Sequence, residues 1–152
     1  MTTRTRCNSL ASLGGFTLVE LMVTLVVAAI LFAIAVPTYT SQMQKARRTD
    51  ARSALLDLAG REERYLSVAT SYTQTTTQLG YSGTFPQTIG SYYNINVTVT
   101  AGPPPTFVAT ATPIGGQLKD STCASMSVNQ IGQHLSVDVN GVDTSATCWA
   151  GS

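Results

Sequence analysis

A single acidic residue, Glu20, lies near the start of a strongly apolar stretch that runs from Phe16 to Val36. The other polar side chains in this stretch are Thr17 and Thr24. Because a carboxylate in hydrocarbon costs on the order of several kcal/mol, an acid at this place is expected to have a function. The helix dipole favours an anion in the first turns, and a nearby ammonium group would neutralise it. The alternative is an acid that only caps the helix at the level of the lipid headgroups.

The three cysteines are Cys7, Cys123 and Cys148. Cys7 follows Thr-Arg-Thr-Arg and not the small apolar residues of a lipoprotein acylation site, so no role is assigned to it. Cys123 and Cys148 lie together near the C-terminus, and such a pair predicts one disulfide in an oxidising compartment. On chain-entropy estimates, a bridge that closes the loop between Cys123 and Cys148 adds about 3.5 kcal/mol to the free energy of unfolding. Two buried free thiols are the alternative.

No catalytic or metal-binding set emerges from the sequence. His134 is the only histidine, and there is no Cys/His metal spacing, phosphate loop or nucleophile motif. Asp138 and Asp143 flank Asn140-Gly141, but their spacing fits no calcium motif and predicts a plain turn. The sequence therefore predicts a protein that is not an enzyme and that needs no cofactor or metal.

The apolar stretch must be a helix if it is to cross a bilayer, and its rise of about 31 Å is sufficient. A secretory signal peptide that is cut after Ala33-Ile34-Ala35 is the competing interpretation. The charges on the two sides of the stretch leave its orientation ambiguous. Two arginines precede it and four basic residues follow it: Arg4 and Arg6, then Lys45, Arg47, Arg48 and Arg52.

Beyond the stretch, Pro37 is expected to bend or locally melt the helix, after which helical spacing resumes. Apolar side chains then recur on one face of the helix, and Glu62 is the position in this spacing that is not apolar. Asp57 and Arg61 form an i,i+4 pair. The apolar positions of this face are Ala51, Ala54, Leu55, Leu58, Tyr65 and Leu66. The helix is expected to end near residues 67–71.

Four strands are predicted after a polar, glycine-punctuated loop. The first alternates apolar and polar residues from Tyr93 to Val99, and the others cover residues 107–112, 123–129 and 134–139. Short turns between strands imply an antiparallel sheet. The predicted class is α+β: a long N-terminal helix packed on a small antiparallel β-sheet, with a disulfide-bounded C-terminal loop.

The segment GGFTLVELMVTLVVAAILFAIAVPTY, residues 14–39, resembles the N-terminal segment of type IV pilins and the related pseudopilins. In that family a dedicated peptidase cuts after the glycine, methylates the new N-terminal phenylalanine and leaves the acid fifth in the mature chain. The resemblance implies that Gly15 precedes the cut and that Phe16 becomes the methylated terminus. It also implies that Glu20 recruits the incoming subunit, and that Pro37 is the helix-bending proline. The globular part is most similar to PilE-like minor pilins.

The resemblance also implies an organisation and a location. The expected segments are a cytoplasmic leader at 1–15, a transmembrane and filament-core helix at 16–36, an amphipathic continuation at 37–70 and a globular head at 71–152. The chain would span the inner membrane of a Gram-negative bacterium once, with its N-terminus cytoplasmic, and later reach an extracellular pilus. Its implied partners are the prepilin peptidase, the pilus assembly platform and other pilin subunits.

The favoured function is that of a structural subunit, a minor pilin that contributes to pilus assembly. One alternative is a pilin that captures DNA, with Lys119 and loop tyrosines beside a basic patch formed by Lys45, Arg47, Arg48 and Arg52. A net charge of only +1 and a slightly acidic globular half favour salt bridges and a solvated helix face over that patch. The other alternative is a type II secretion pseudopilin, which would normally show a calcium loop and no C-terminal disulfide.

Overall fold

The computed structural model describes residues 15–150, so the expectations for Arg4, Arg6, Cys7 and most of the leader lie outside the described residues. The chain divides into two compact units, Met1–Tyr39 and Thr40–Ser152, which are described separately. The elements are α1 (Leu18–Ala69), β1 (Gln87–Ile89), β2 (Tyr93–Thr100), β3 (Thr106–Pro113), a 3₁₀ helix (Gly115–Lys119), β4 (Ser125–Asn129), β5 (His134–Val137) and α2 (Ser145–Cys148).

The first unit contains the apolar part of α1. Its large apolar side chains are exposed, and α1 is the one helix among residues 15–150 that is long and apolar enough to cross a membrane, with a mean hydropathy of 2.7 over its most apolar window. The hydroxyl of Thr24 donates to the carbonyl oxygen of Leu21 (2.9 Å), so this polar group is satisfied within the helix. Helical structure continues through Pro37 without interruption, so the proline does not melt the helix.

The second unit, called the head from here on, is an antiparallel meander packed against its own part of α1, residues 40–69. The strands follow the order β1-β2-β3-β4-β5, and β2 pairs with β3 over eight residue positions, from Tyr93 opposite Pro113 to Thr100 opposite Thr106. Alternate residues of β2 and β3 point into the core, as period-2 patterning predicts. The predicted α+β class is confirmed.

The core of the head lies between α1 and the sheet. From α1 it receives Ala51, Leu55 and Leu58, all with 0% exposure, as the helical spacing predicted. From the sheet it receives Tyr93, Ile95, Val97, Phe107, Ala109, Ala111, Met126 and Val128. Cys123 and Cys148 form the predicted disulfide, with their Cα atoms 6.0 Å apart, at the edge of this core.

The predicted element bounds differ from the observed ones where the local pattern is short. Strand β1 was not predicted, since it has only three residues in a polar loop and is stabilised by pairing with β2. Strand β4 begins at Ser125 and not at Cys123, because the disulfide holds Cys123 in the preceding turn. Strand β5 ends at Val137, two residues early, since the next residues form a turn.

Glu62 occupies the one position on the core-facing side of α1 at which the apolar spacing is interrupted. Its side chain is fully buried, and its Oε2 atom accepts a hydrogen bond from the backbone N–H of Thr73 at 3.0 Å. Its Oε1 atom has no hydrogen-bond partner among residues 15–150. Burial raises the pKa of Glu62 above its ordinary value because the charged form is poorly solvated there. Glu62 therefore anchors the loop after α1 at an electrostatic cost that grows when the carboxyl ionises.

This cost predicts a pH dependence of stability. The folded pKa lies above the unfolded one, so the contribution of Glu62 is fully present below the unfolded pKa and is lost as pH rises through the folded pKa. Glu62→Gln keeps an acceptor for Thr73 and removes the charge, so its stability relative to the parent chain should rise between pH 4.5 and 7.5. A tenfold difference in proton affinity corresponds to about 1.4 kcal/mol. Urea unfolding followed by circular dichroism measures the change.

The matched control is Glu63→Gln, which removes the neighbouring exposed carboxyl and keeps an acceptor for the hydroxyl of Tyr72. It should follow the parent chain more closely across this pH range. Parallel pH profiles for the parent chain and Glu62→Gln would contradict the assigned role of Glu62.

Candidate assembly and nucleic-acid interface

Arg48, one of the cations of the predicted basic patch, is engaged inside the head. Its guanidinium forms a bidentate ion pair with Asp120, with Nε–Oδ2 and Nη2–Oδ1 distances of 2.6 Å. The side chains of Arg48 and Asp120 are only 12% and 1% exposed. Gln117 donates to the same carboxylate at 2.9 Å and to the Tyr93 hydroxyl at 3.2 Å. This buried network joins α1, the 3₁₀ helix and β2, and it already uses the guanidinium of Arg48 within the head.

Arg52 holds the C-terminal end of the described chain. Its Nη1 atom donates to the carbonyl oxygens of Trp149, at 3.2 Å, and of Ala150. Its Nη2 atom donates to the hydroxyl of Thr49 at 2.8 Å. These contacts tie the segment after α2 to α1, so Nη1 and Nη2 of Arg52 are used within the head, whereas its buried Nε atom has no hydrogen-bond partner among residues 15–150.

Lys45, Arg47 and Lys119 differ from Arg48, because no carboxylate among residues 15–150 lies within ion-pair distance of them, and they differ from Arg52, which binds backbone carbonyls. The guanidinium of Arg47 lies over the ring of Tyr92, 5.3 Å from its centroid. The hydroxyl of Tyr92 donates to Asp50 at 2.6 Å, and this hydrogen bond raises the pKa of Tyr92. Arg47 is therefore held by an aromatic face and makes no ion pair among residues 15–150.

An open groove of about 460 Å³ lies near the far end of α1, beside the loop that follows the helix. It is lined by Arg61, Arg64, Tyr65, Val68, Gln78, Leu79 and Gly80. Arg61 pairs with Asp57 at 2.7 Å, as the i,i+4 spacing predicted, and donates to the carbonyl oxygen of Leu79 at 2.9 Å. Gly80 has a φ of +75°, and a Cβ there would lie 3.0 Å from Nη1 of Arg61, so glycine keeps this side of the groove open.

Arg64 is the cation of the groove that has no carboxylate partner within residues 15–150. Its Nε atom donates to the carbonyl oxygen of Gly60 at 3.2 Å, and its terminal nitrogens make no hydrogen bond within that range. Tyr65 and Val68 supply an apolar wall, and Gln78 supplies an amide. A cation beside an apolar wall suits a phosphate with an attached planar ring. The sequence did not point to this groove, because Gln78 and Gly80 come from a loop whose position no local pattern specifies.

Residues Asn140 and Gly141 lie in a turn that is held by hydrogen bonds to Asp138. The Oδ1 atom of Asp138 accepts the backbone N–H groups of Val142, at 2.9 Å, and Asn140, at 2.8 Å, and these hydrogen bonds lower the pKa of Asp138. Gly141 has a φ of +80°, which favours glycine. The carboxylate of Asp143 is bound in the same way by Ser145.

Glu20 lies in the first turn of α1, where the sequence placed it, and Gly15 and Phe16 precede the helix in exposed positions. The hydroxyl of Thr17 accepts the backbone N–H of Glu20 at 3.2 Å, so a threonine caps this end of the helix. Among residues 15–150 the Glu20 carboxylate makes no hydrogen bond or ion pair and is exposed. The carboxylate is therefore available to a group outside residues 15–150.

Comparisons with known proteins match two parts of the sequence. Residues 14–36 match the prokaryotic N-terminal methylation motif, and residues 37–127, more than half of the chain, match the family described as type IV minor pilin ComP, DNA uptake sequence receptor. A solved structure of a type IV pilin from Shewanella oneidensis aligns with a TM-score of 0.49 at 25% identity, over 71% of this chain and 99% of that chain. The search of curated proteins gave no match.

The Arg48–Asp120 pair predicts a large stability effect. Asp120→Asn leaves the guanidinium of Arg48 buried without an anion, and breaking such a pair costs about 3–5 kcal/mol. Urea unfolding of the chain in detergent micelles, followed by the fluorescence of the single tryptophan, Trp149, measures it. Removing the second charge as well, with Arg48→Met, should recover part of the loss.

The control is Asp57→Asn in the exposed pair with Arg61, where Asp57 is 47% exposed. Exposed pairs contribute no more than about 1 kcal/mol. The assignment of Arg48–Asp120 as a structural pair fails if Asp120→Asn destabilises the head no more than this control does.

Proposed function

Because the chain belongs to the type IV minor pilin ComP family, we propose that its head captures DNA for uptake while its N-terminal helix builds it into the pilus. As a minor pilin, the protein is a structural subunit of a type IV pilus that associates with other pilins and with the pilus machinery. Membership in a minor pilin family favours this function over that of a type II secretion pseudopilin.

The methylation motif and the apolar helix support membrane anchoring and display on the pilus. In detail, the prepilin peptidase removes residues 1–15 after Gly15 and methylates Phe16. The segment 16–36 then spans the inner membrane of a Gram-negative cell until the assembly platform extracts it. Residues 37–70 continue the helix, with Pro37 as the place where it can bend, and residues 71–152 complete the head.

Assembly uses Glu20 as the partner of an ammonium group. Once Gly15 is cut away, the α-amino group of Phe16 is positive at neutral pH. Two groups of opposite charge in hydrocarbon neutralise each other, and an unpaired charge there is costly. The geometry supports a partner in a neighbouring subunit, because Thr17 performs the capping of α1 and the Glu20 carboxylate has no partner among residues 15–150.

DNA capture uses the groove at the far end of α1, and the observation that carries this proposal is Arg64. It is a cation without a carboxylate partner among residues 15–150, and it lies in a groove within the segment that matches the DNA uptake family. Arg64 would contact a phosphate, and Tyr65 and Gln78 would contact the adjacent sugar or base. The predicted patch at Lys45–Arg52 is a weaker candidate, since Arg48 and Arg52 are used within the head.

The test is binding of labelled duplex DNA to the full chain in phosphatidylcholine nanodiscs, measured by fluorescence anisotropy across a range of salt concentrations. Each phosphate contact contributes about 0.9 to the slope of log K against log salt. Arg64→Gln should weaken binding several-fold and reduce the slope by about one. Gly80→Ala, which crowds Arg61, should weaken binding without changing the net charge.

Arg47→Gln is the matched control, because it removes the same charge from a surface outside the groove. Its affinity and slope should stay near those of the parent chain. The proposal for the groove is overturned if Arg64→Gln and Arg47→Gln have equal effects, or if neither variant changes the slope.

The assembly proposal predicts the behaviour of Glu20→Ala. Processing and membrane insertion should be unchanged, because neither requires this charge. The intact mass should correspond to a mature chain that begins at Phe16, both in the parent chain and in Glu20→Ala. The amount of the chain in sheared pili, relative to the membrane pool, should fall by tenfold or more, because the ammonium of the neighbouring subunit loses its partner. Glu20→Asp keeps the charge with a shorter reach and should fall between. Normal incorporation of Glu20→Ala would rule out the pairing mechanism.

A further inference from the structure

Three cations without ion-pair partners among residues 15–150 lie near the end of the head that follows the apolar stretch: Lys45, Arg47 and Lys119. Lys45 and Arg47 are separated by a helical rise of about 3 Å along α1. Lys119 ends the 3₁₀ helix, which is held at this level by the hydrogen bond from Gln117 Nε2 to the carbonyl oxygen of Gln44, at 3.4 Å. These three residues are called the basic collar below.

The members of the collar are at similar heights but on different sides of α1. Two residues along a helix correspond to a rotation of about 200°, so Lys45 and Arg47 leave α1 in nearly opposite directions. The contacts agree with this geometry. Arg47 lies over Tyr92 on the side of β2, and Lys45 shares a helix flank with Arg52, which reaches Trp149 near β5.

This arrangement suits a plane better than a rod. A DNA duplex lying along one flank of α1 could contact Lys45 or Arg47 but not both. A flat anionic surface perpendicular to α1 at this level is within reach of all three cations, since each has a long side chain. The shape of the collar therefore favours a membrane surface over a nucleic acid.

The position along the chain favours the same partner. The apolar stretch ends at Val36, and the helical rise from Val36 to Lys45 is at most about 14 Å. The headgroup layer of a bilayer is about 5–7 Å thick on each side, and the Debye length at physiological ionic strength is about 8 Å. Lys45 is thus within electrostatic reach of lipid phosphates when the apolar stretch is in a membrane, and Arg47, about 3 Å further along the helix, comes within reach through its long side chain.

The local charge balance is also favourable. Between Glu20 and Asp50 the sequence contains no acidic residue. Asp120 is neutralised by Arg48, whereas Asp50 only accepts a hydrogen bond from the Tyr92 hydroxyl and lines the same pocket as Lys45. The three cations of the collar therefore face one uncompensated carboxylate, and the balance stays positive. Juxtamembrane clusters of this kind attract anionic lipids, with an effect that salt weakens.

We propose that Lys45, Arg47 and Lys119 bind the phosphate groups of anionic phospholipids and hold the head against the membrane surface before the subunit enters the pilus. The proposal goes beyond DNA capture and depends on the proposed function only for the membrane setting. It also gives a role to the surplus of positive charge after the apolar stretch, which leaves the orientation ambiguous by charge alone.

The chain offers a specific test because Lys45 and Lys119 are its only lysines. The full chain is placed in nanodiscs of phosphatidylcholine, with or without phosphatidylglycerol, and is acetylated with an amine-reactive ester. Peptide mass spectrometry then gives the labelling rate at each lysine. Phosphatidylglycerol should slow the labelling of both lysines three- to tenfold, and 0.5 M salt should remove most of this protection.

Arg47→Gln should reduce the protection of both lysines, and Arg64→Gln, at the far end of the head, should leave it unchanged. Equal labelling rates in the two kinds of nanodisc would overturn the proposal. Protection that Arg47→Gln does not reduce would reflect only the surface potential and would also overturn it. Protection by duplex DNA in neutral nanodiscs, without protection by phosphatidylglycerol, would assign the collar to DNA instead.

The two proposals fail separately. Loss of DNA binding in Arg64→Gln with normal lysine protection supports the groove and does not affect the collar. If the lysines of the collar are not protected in the labelling test, the expected salt dependence of DNA binding at the groove does not change.

Discussion

The buried ion pair between Arg48 and Asp120 is the contact on which the arrangement of the head depends. Two charges removed from water are tolerated only when the geometry is good and the remaining lone pairs are satisfied. Here the pair is bidentate, Gln117 donates to Asp120, and the backbone N–H of Cys123 also points to this carboxylate at 3.4 Å. The position of the 3₁₀ helix, and of the disulfide that follows it, is therefore set by a charge on α1.

The same requirement divides the basic residues of α1 into two groups. Arg48 and Arg52 bind groups that the fold must hold in place, a carboxylate and the C-terminal carbonyls. The cations that neither pair with a carboxylate nor hold the segment after α2 lie toward the two ends of the α1 segment in the head, at Lys45–Arg47 and at Arg64. These positions are separated by a helical rise of roughly 25 Å. The two proposed sites, one for anionic lipid and one for DNA, therefore involve opposite ends of this segment.

The periodic patterns of the sequence predicted the elements whose side chains alternate regularly between core and solvent. The 3.6-residue spacing predicted the face of α1 that carries Leu55 and Leu58, and alternation predicted β2, because both periods follow from backbone geometry. Two features that position the candidate sites were not predicted. Arg48 finds its partner 72 residues away, and β1 exists because β2 offers it an edge. In the sequence, Glu62 only interrupts the apolar face of α1. Its burial could not be predicted, because the backbone N–H that it binds belongs to Thr73 in the following loop, whose position no local pattern specifies.

A subunit that must polymerise through its helix should not also polymerise through its sheet. An unpaired strand edge invites other strands, and β5 is the last strand of this sheet. Its outer edge is covered from within the chain: Thr144 N–H donates to the carbonyl oxygen of Ser136 at 2.9 Å, and Ser145 Oγ accepts the N–H of Ser136 at 2.8 Å. The indole N–H of Trp149 donates to the carbonyl oxygen of Leu135 at 3.0 Å.

The disulfide keeps this cover in place. Cys148 is the last residue of α2 and lies between Ser145 and Trp149, the two residues whose side chains cover the edge of β5. Its partner, Cys123, lies just before β4. Beyond the entropy that the bridge removes from the unfolded chain, it thus holds the covering segment against β5. At the opposite side of the sheet, β1 has only three residues and offers a short edge. Both edges are therefore poor templates for another strand, which supports the proposal that growth of the pilus uses α1 and the charge of Glu20.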